Sequence, residues 1–310
     1  MKANCQWSEN LVSNRIIPSL LVTEVFFPVK DEKGFAASVV ENLGSQGFYR
    51  SFEIGDGYDQ EDRKRILQAK EQNNLSIFQW LTFLTYKTDL NVSAIDASLR
   101  ERTVKQIKES LYLAAECGVS TVGFVPGPDP GVSLRKQGLE AFYESLCEIC
   151  EEAATFNMHV SIEAMDREVH KKRVLGLTGE AVSIISKVKE KYSNVGLVFD
   201  TAHVSLNGED IFTSLELAKS TMDRLHFANV VLDPEIPLYG DNHMPIGEPG
   251  FLTIEKMSHI LQKANELGIQ SEIGLPVAIE VQGKDKNDYF ANERTIRAAL
   301  ESAMNLVGSK

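Results

Sequence analysis

Two rhythms of apolar and polar positions alternate along this chain. Short runs, either fully apolar or apolar at every second residue, are followed by longer runs whose apolar positions recur every three or four residues, as on one face of a helix. The short runs predict strands over Ile17–Phe27, Tyr49–Ile54, Ser76–Leu84, Thr121–Val125, Val160–Ala164, Val195–Asp200, Arg224–Asn229 and Val277–Val281. Amphipathic helices are predicted between them, among them Ala94–Cys117, Leu134–Ala154, Gly179–Lys191 and Ile254–Leu267. Ala291–Val307 closes the eighth strand–helix unit. No linker or low-complexity stretch divides the series. Residues 1–310 are therefore read as one domain, with 1–14 as an N-terminal arm and 230–250 as a long loop after the seventh strand.

Strand–helix repetition favours a parallel sheet, because parallel neighbours need a crossover and the helix supplies it. Eight repeats without a break favour closure into a single (β/α)8 barrel. The competing architecture is an open doubly wound sheet. Its dinucleotide-binding version is weakened because no GxGxxG follows an early strand.

The last four strands each end a short apolar run with one charged or metal-binding residue: VSIEA with Glu163, VGLVFD with Asp200, RLHFAN with His226, and VAIEV with Glu280. Successive side chains in a strand face opposite ways. In all four strands the bulky apolar residues (Val160 and Ile162; Val195, Leu197 and Phe199; Leu225 and Phe227; Val277, Ile279 and Val281) take one face. The polar residue shares the other with smaller ones such as Ser161, Gly196, Ala228 and Ala278. That parity turns all four toward the barrel interior at the carboxyl ends of the strands, where such barrels carry their sites. Three converging carboxylates in a partly dry space must protonate or find a cation. Three oxygen donors and one imidazole suit one divalent ion, Mn²⁺, Co²⁺, Zn²⁺ or Mg²⁺.

Composition narrows the function class. Hydrophobic residues make up 43% and charged residues 25% of the 310, as in a soluble globular protein. The net charge of −12, with no Lys/Arg-rich block to offset it, argues against nucleic acid as a partner. No run near 18 apolar residues implies a membrane span, and the start MKANCQWSEN lacks a signal-peptide core, so the cytoplasm is expected. Cys147 and Cys150 form a CxxC inside a strongly helical stretch without a second CxxC. They read as small apolar residues on one helix face rather than a redox or metal pair.

The segments IEAMDRE, VFDTAH, LHFAN, DNHMPIGEPG and VAIEVQG resemble the xylose-isomerase-like barrel superfamily, which includes tagatose/psicose 3-epimerase-type sugar isomerases, inosose dehydratases and apurinic endonucleases. The resemblance covers the second half of the chain. It implies that Glu163, Asp200, His226 and Glu280 are metal ligands and that Glu163 and Glu280 also form the acid/base pair. It further implies that His203 lies near substrate and that Arg224 holds a substrate-contacting place. Asp241 and His243 match an Asp-x-His that the endonucleases use for an additional zinc, which leaves a second metal or a substrate contact open. The endonuclease pattern also needs histidines at earlier strand ends. Val125 stands at one such end, and no histidine precedes His159, so a metal phosphodiesterase is disfavoured.

One metal between two glutamates implies proton abstraction beside a carbonyl, through an enediolate, in a keto sugar or sugar derivative. Epimerisation, isomerisation and inosose-type dehydration share that intermediate. A carbohydrate-binding barrel without turnover is the non-enzymatic alternative, and both glutamates being present speaks against it. The loop AMDREVHKKRVLG, with Asp166, Arg167, Glu168, His170, Lys171 and Lys172, is either a substrate-contacting loop or a solvated one. Arg167 or Lys171 would favour an acid or phosphate group. Glu53 is placed to touch substrate, and Trp80 or Phe83 to wall the pocket or pack the core. His159 reads as a satisfied core histidine, His259 as a surface one, and Trp7 as part of an arm covering the barrel or a neighbouring subunit. The resemblance also implies a homo-oligomer acting on a small sugar or polyol.

Overall fold

Nine strands are present in the computed structural model, which describes residues 16–82, 84, 89–269 and 274–307. They are β1 (Ile16–Leu21), β2 (Ser51–Ile54), β3 (Ser76–Trp80), β4 (Thr121–Phe124), β5 (His159–Glu163), β6 (Val195–Asp200), β7 (Met222–Val231), β8 (Gly240–Met244) and β9 (Leu275–Glu280). All but β8 pair in parallel with their neighbours. The series β1 to β7 continues to β9, and β9 pairs back onto β1, which closes an eight-stranded barrel. The expected N-terminal arm with Trp7, and Phe83, lie outside the described residues.

Helices follow the strands: α1 (Val22–Val25), α2 (Phe35–Ser45), α3 (Gln60–Asn73), α4 (Ala97–Glu116), α5 (Arg135–Thr155), α6 (Thr178–Lys189), α7 (Thr201–Leu206), α8 (Ile211–Ala218), α9 (Ile254–Glu266) and α10 (Phe290–Val307). Side-chain caps start several of them. Asp59, Asp96, Asp210 and Thr253 each accept a hydrogen bond from a first-turn backbone N–H, which satisfies a donor that the helix leaves unpaired. Among the described residues no helix is long and apolar enough to cross a membrane.

Two apolar clusters arise from strand parity. The larger lies between strands and helices and takes Val160, Ile162, Leu197, Phe199, Leu225, Phe227, Val277 and Ile279. The smaller, Leu21, Phe78, Trp80, Val198 and Ala278, fills the barrel interior. Small residues let this interior close: a Cβ on Gly123 would lie 2.2 Å from the Phe78 ring, and one on Gly196 would lie 2.0 Å from an Asp223 carboxylate oxygen. Asp223 stands at a register shift, where Leu197 pairs with Met222 but Val198 pairs with Arg224. The extra residue of such a bulge re-aims the side chains beside it.

Three predicted segments change most. The first strand stops at Leu21, and the chain turns at once into α1. Val22, Val25 and Phe26 stay buried there at helical spacing, so the apolar run reads alike for either element. The third strand stops at Trp80. The long loop at 230–250 is in part a hairpin: β7 continues to Val231, and β8 returns antiparallel with Asn229 opposite Met244 and Val231 opposite Gly240. Polar GDNHM carries little apolar alternation, so pattern alone does not mark it as a strand.

Candidate metal centre

The FDTAH segment explains how one residue can cap a helix and face a cluster at once. Asp200 is the last residue of β6 and the N-cap of α7, where its Oδ1 accepts hydrogen bonds from the N–H groups of Ala202 and His203 at 2.7 and 3.0 Å. Thr201 ties the same turn to β7: its hydroxyl donates to the Ala228 carbonyl at 2.9 Å and accepts from the Ala228 N–H at 3.0 Å. Asp200 Oδ2 is buried and has no hydrogen-bond partner.

Glu163 ends β5 and Glu280 ends β9, while His226 pairs in register with Asp200. One ligand-capable atom from each of Glu163, Asp200, His226 and Glu280 lies within 4.8 Å of the other three. His226 Nδ1 is 3.1 Å from Glu280 Oε2 and 3.5 Å from Glu163 Oε1. Glu163 Oε1, like Asp200 Oδ2, is a buried oxygen without a hydrogen-bond partner. Two orphaned carboxylate oxygens aimed into one cluster are costly unless a cation meets them, so this donor set fits a divalent ion.

The electrostatics carry the same sign. Burial, with Glu280 and Glu163 close by, raises Asp200 to about 7 even though His203 is near. Burial opposes the charged imidazolium of His226, but Glu53, Glu163 and Glu280 outweigh it and raise this group well above the usual histidine value. Burial would likewise raise Glu280, yet His243 and His226 hold it well below the usual carboxylate range.

A cavity of about 110 Å³ opens over the cluster, lined by Glu163, His226 and Glu280 together with Trp80, Val125, Met165, Lys171, His203, Asp241 and His243, among others. A larger cavity of about 740 Å³ lies beside α9 and α10, but the convergent ionisable groups are in the smaller one. His203, 4% exposed, reaches the cavity with its Nδ1 at 3.3 Å from Asp166 Oδ2. Burial acts to lower the His203 pKa, but Asp200 and Asp166 raise it to about 9. Lys171 Nζ sits 2.9 Å from Asp241 Oδ2 and 3.3 Å from His243 Nε2, and His243 Nδ1 is 2.9 Å from Glu280 Oε1. An ammonium group thus stands in the fork of Asp241 and His243, where an additional metal would need to bind.

Three expected substrate contacts are redirected. Glu53 is fully buried, pairing with Arg224 at 2.7 Å and with His226 Nε2 at 2.9 Å, so it lies beneath the cluster rather than facing the cavity. Arg224, 3% exposed, is held by that pair and stacks its guanidinium over Phe78 at 4.3 Å. The bulge at Asp223 brings both Asp223 and Arg224 inward. Arg167 turns away to Glu180 and to the Val174 carbonyl. The charged loop after Glu163 divides: Asp166 and Lys171 reach the site, while Glu168, His170 and Lys172 are exposed. His159 is satisfied by Asp223 at 2.6 Å and His259 is exposed. Glu24 lines the cavity from α1, although the apolar run around it predicts a strand. A lone acid in that apolar run was the available signal.

The sequence profile of the family described as Xylose isomerase-like TIM barrel matches residues 38–302. The chain belongs to this family. A curated relative, "Probable endonuclease 4" of Aquifex aeolicus (strain VF5), is 24% identical over 217 residues, covering 66% of this chain and 72% of that protein. The crystal structure of a D-psicose 3-epimerase in the presence of D-fructose superposes with a TM-score of 0.68 at 15% identity, over 94% of this chain and 100% of the other. The IOLI protein with a bound zinc atom gives a TM-score of 0.66 at 15% identity, over 94% and 98% of the two chains. At these identities the likeness to the two solved structures is one of fold.

Proposed function

We propose that this chain is a divalent-metal-dependent isomerase or epimerase of a keto sugar or sugar derivative. The observation that carries the reading is the pair Glu163 and Glu280, with two strands between them around the ring, flanking a buried cluster with orphaned carboxylate oxygens. A bound divalent cation would supply Lewis acidity to a carbonyl and its neighbouring hydroxyl, making the intervening C–H more acidic. One glutamate takes the proton from carbon and the other returns one, through an enediolate of the substrate. Lys171 and His203 are the donors positioned for substrate oxygens, and Trp80, Met165 and Val125 supply the apolar wall. The sugar epimerase among the fold relatives supports this class. The endonuclease relative favours a nuclease less, because Val125 rather than histidine lines the cavity at the end of the fourth strand unit.

Mn²⁺-loaded protein incubated in D₂O with a panel of ketoses, keto-glycosides and inososes should place deuterium on the carbon next to the carbonyl, read by NMR. Glu280→Gln should abolish that exchange. No exchange with any member of the panel would sink the proposal, and loss of water to an enone would move it to a dehydratase.

A further inference from the structure

The buried carboxylate beneath the candidate metal ligands has a task that its position defines. Glu53 Oε1 accepts from Arg224 Nη1 at 2.7 Å and from the Ser19 hydroxyl at 2.9 Å. Its Oε2 accepts from Trp80 Nε1 at 2.9 Å and lies 2.9 Å from His226 Nε2. Arginine and the indole N–H can only donate, and Glu53 next to a buried guanidinium is an acceptor-only carboxylate. The His226 Nε2 must therefore carry the hydrogen in that contact. In a neutral imidazole this leaves the Nδ1 lone pair free, and Nδ1 is the atom that faces Glu163 and Glu280.

We infer that Glu53 is the positioning residue of the metal centre: it fixes the tautomer and ring orientation of His226, so that Nδ1 is offered to the ion. Arg224, stacked on Phe78, and Ser19 hold Glu53 in turn. Gly123, on the strand beside Phe78, leaves the space that the Phe78 ring occupies. Carboxylate partners of ligating histidines act in this way in metal sites generally, and losing one typically weakens metal binding about 10- to 100-fold. The inference rests on the metal reading above.

Glu53→Gln reverses the polarity of one carboxylate edge, since the amide NH₂ must meet either Arg224 and Ser19 or His226 and Trp80. Calorimetric titration of the apo protein with Zn²⁺ should give an affinity about 10- to 100-fold weaker for the variant. In the wild-type Zn²⁺ complex, long-range ¹H–¹⁵N NMR of the His226 ring, assigned by its loss in His226→Gln, should show a protonated Nε2 and a metal-bound Nδ1. That spectrum decides the matter even if the variant does not fold. A wild-type Nε2 bound to zinc, or equal affinity in a folded variant, overturns the inference while the metal reading stands. A wild type that takes up no zinc overturns both.

Discussion

Single residues decide the chemistry of this centre through their protons. His226 is held well above the usual histidine value and Asp200 at about 7, so both carry protons at mildly acidic pH that a metal ion must displace. Affinity for Zn²⁺ should therefore fall by about tenfold or more from pH 8 to pH 6. The binding enthalpy should vary with buffer ionisation heat, as expected when protons are released. Affinity constant across that range would contradict the assignment. Glu53 has the opposite sign. Burial raises its pKa, but Arg224 and His226 bring it down to about 2, below the usual value near 4.3. A depressed folded-state pKa stabilises the fold above the unfolded value, and that contribution is lost as pH falls toward 2. Urea unfolding between pH 6 and pH 3 should show wild type losing stability more steeply than Glu53→Gln, and parallel curves would refute it. Strand parity made the tetrad legible in the sequence, because one alternating pattern orients each residue. The tasks of Glu53, Arg224 and Arg167 were not legible. Parity says that a side chain points inward, but not whether a partner from a distant strand meets it there.

At the scale of elements, the turn from β6 into α7 holds the site together. Thr201 is fully buried and gives both its hydrogen bonds to Ala228 of β7, so Thr201→Val strands a buried backbone donor and acceptor. The expected loss is about 2 kcal/mol of unfolding free energy in urea. A change below about 0.5 kcal/mol would mean that the tie carries no load. The hairpin of β7 and β8 brings Asp241 and His243 over the cavity and against Lys171 from the loop after β5. That meeting of two segments 70 positions apart leaves no local periodicity, so the sequence of 230–250 predicts a loop. The overrun of the first strand has the same kind of cause, since Val22 and Val25 are buried whether the chain extends or coils.

Across the whole molecule, the barrel is packed inside as well as outside. Phe78 and Trp80 fill the interior, support Arg224 and Glu53, and carry the cluster above them. Gly123→Ala would drive a methyl group into the Phe78 ring and should cost about 1–3 kcal/mol, lowering the thermal midpoint. An unchanged midpoint would show that the interior has slack. Eight strand–helix units and an unbroken series were enough to predict the closed barrel, whereas its interior packing depends on which small residue faces which ring. Glu163, Asp200, His226 and Glu280 together are proposed to hold one divalent ion. Crystals grown with Zn²⁺ and measured across the zinc absorption edge test it most directly. A single anomalous peak per chain is expected at about 2.0–2.2 Å from His226 Nδ1 and from an oxygen of each carboxylate. No peak among these four residues, or a stronger one between Asp241 and His243, would contradict it.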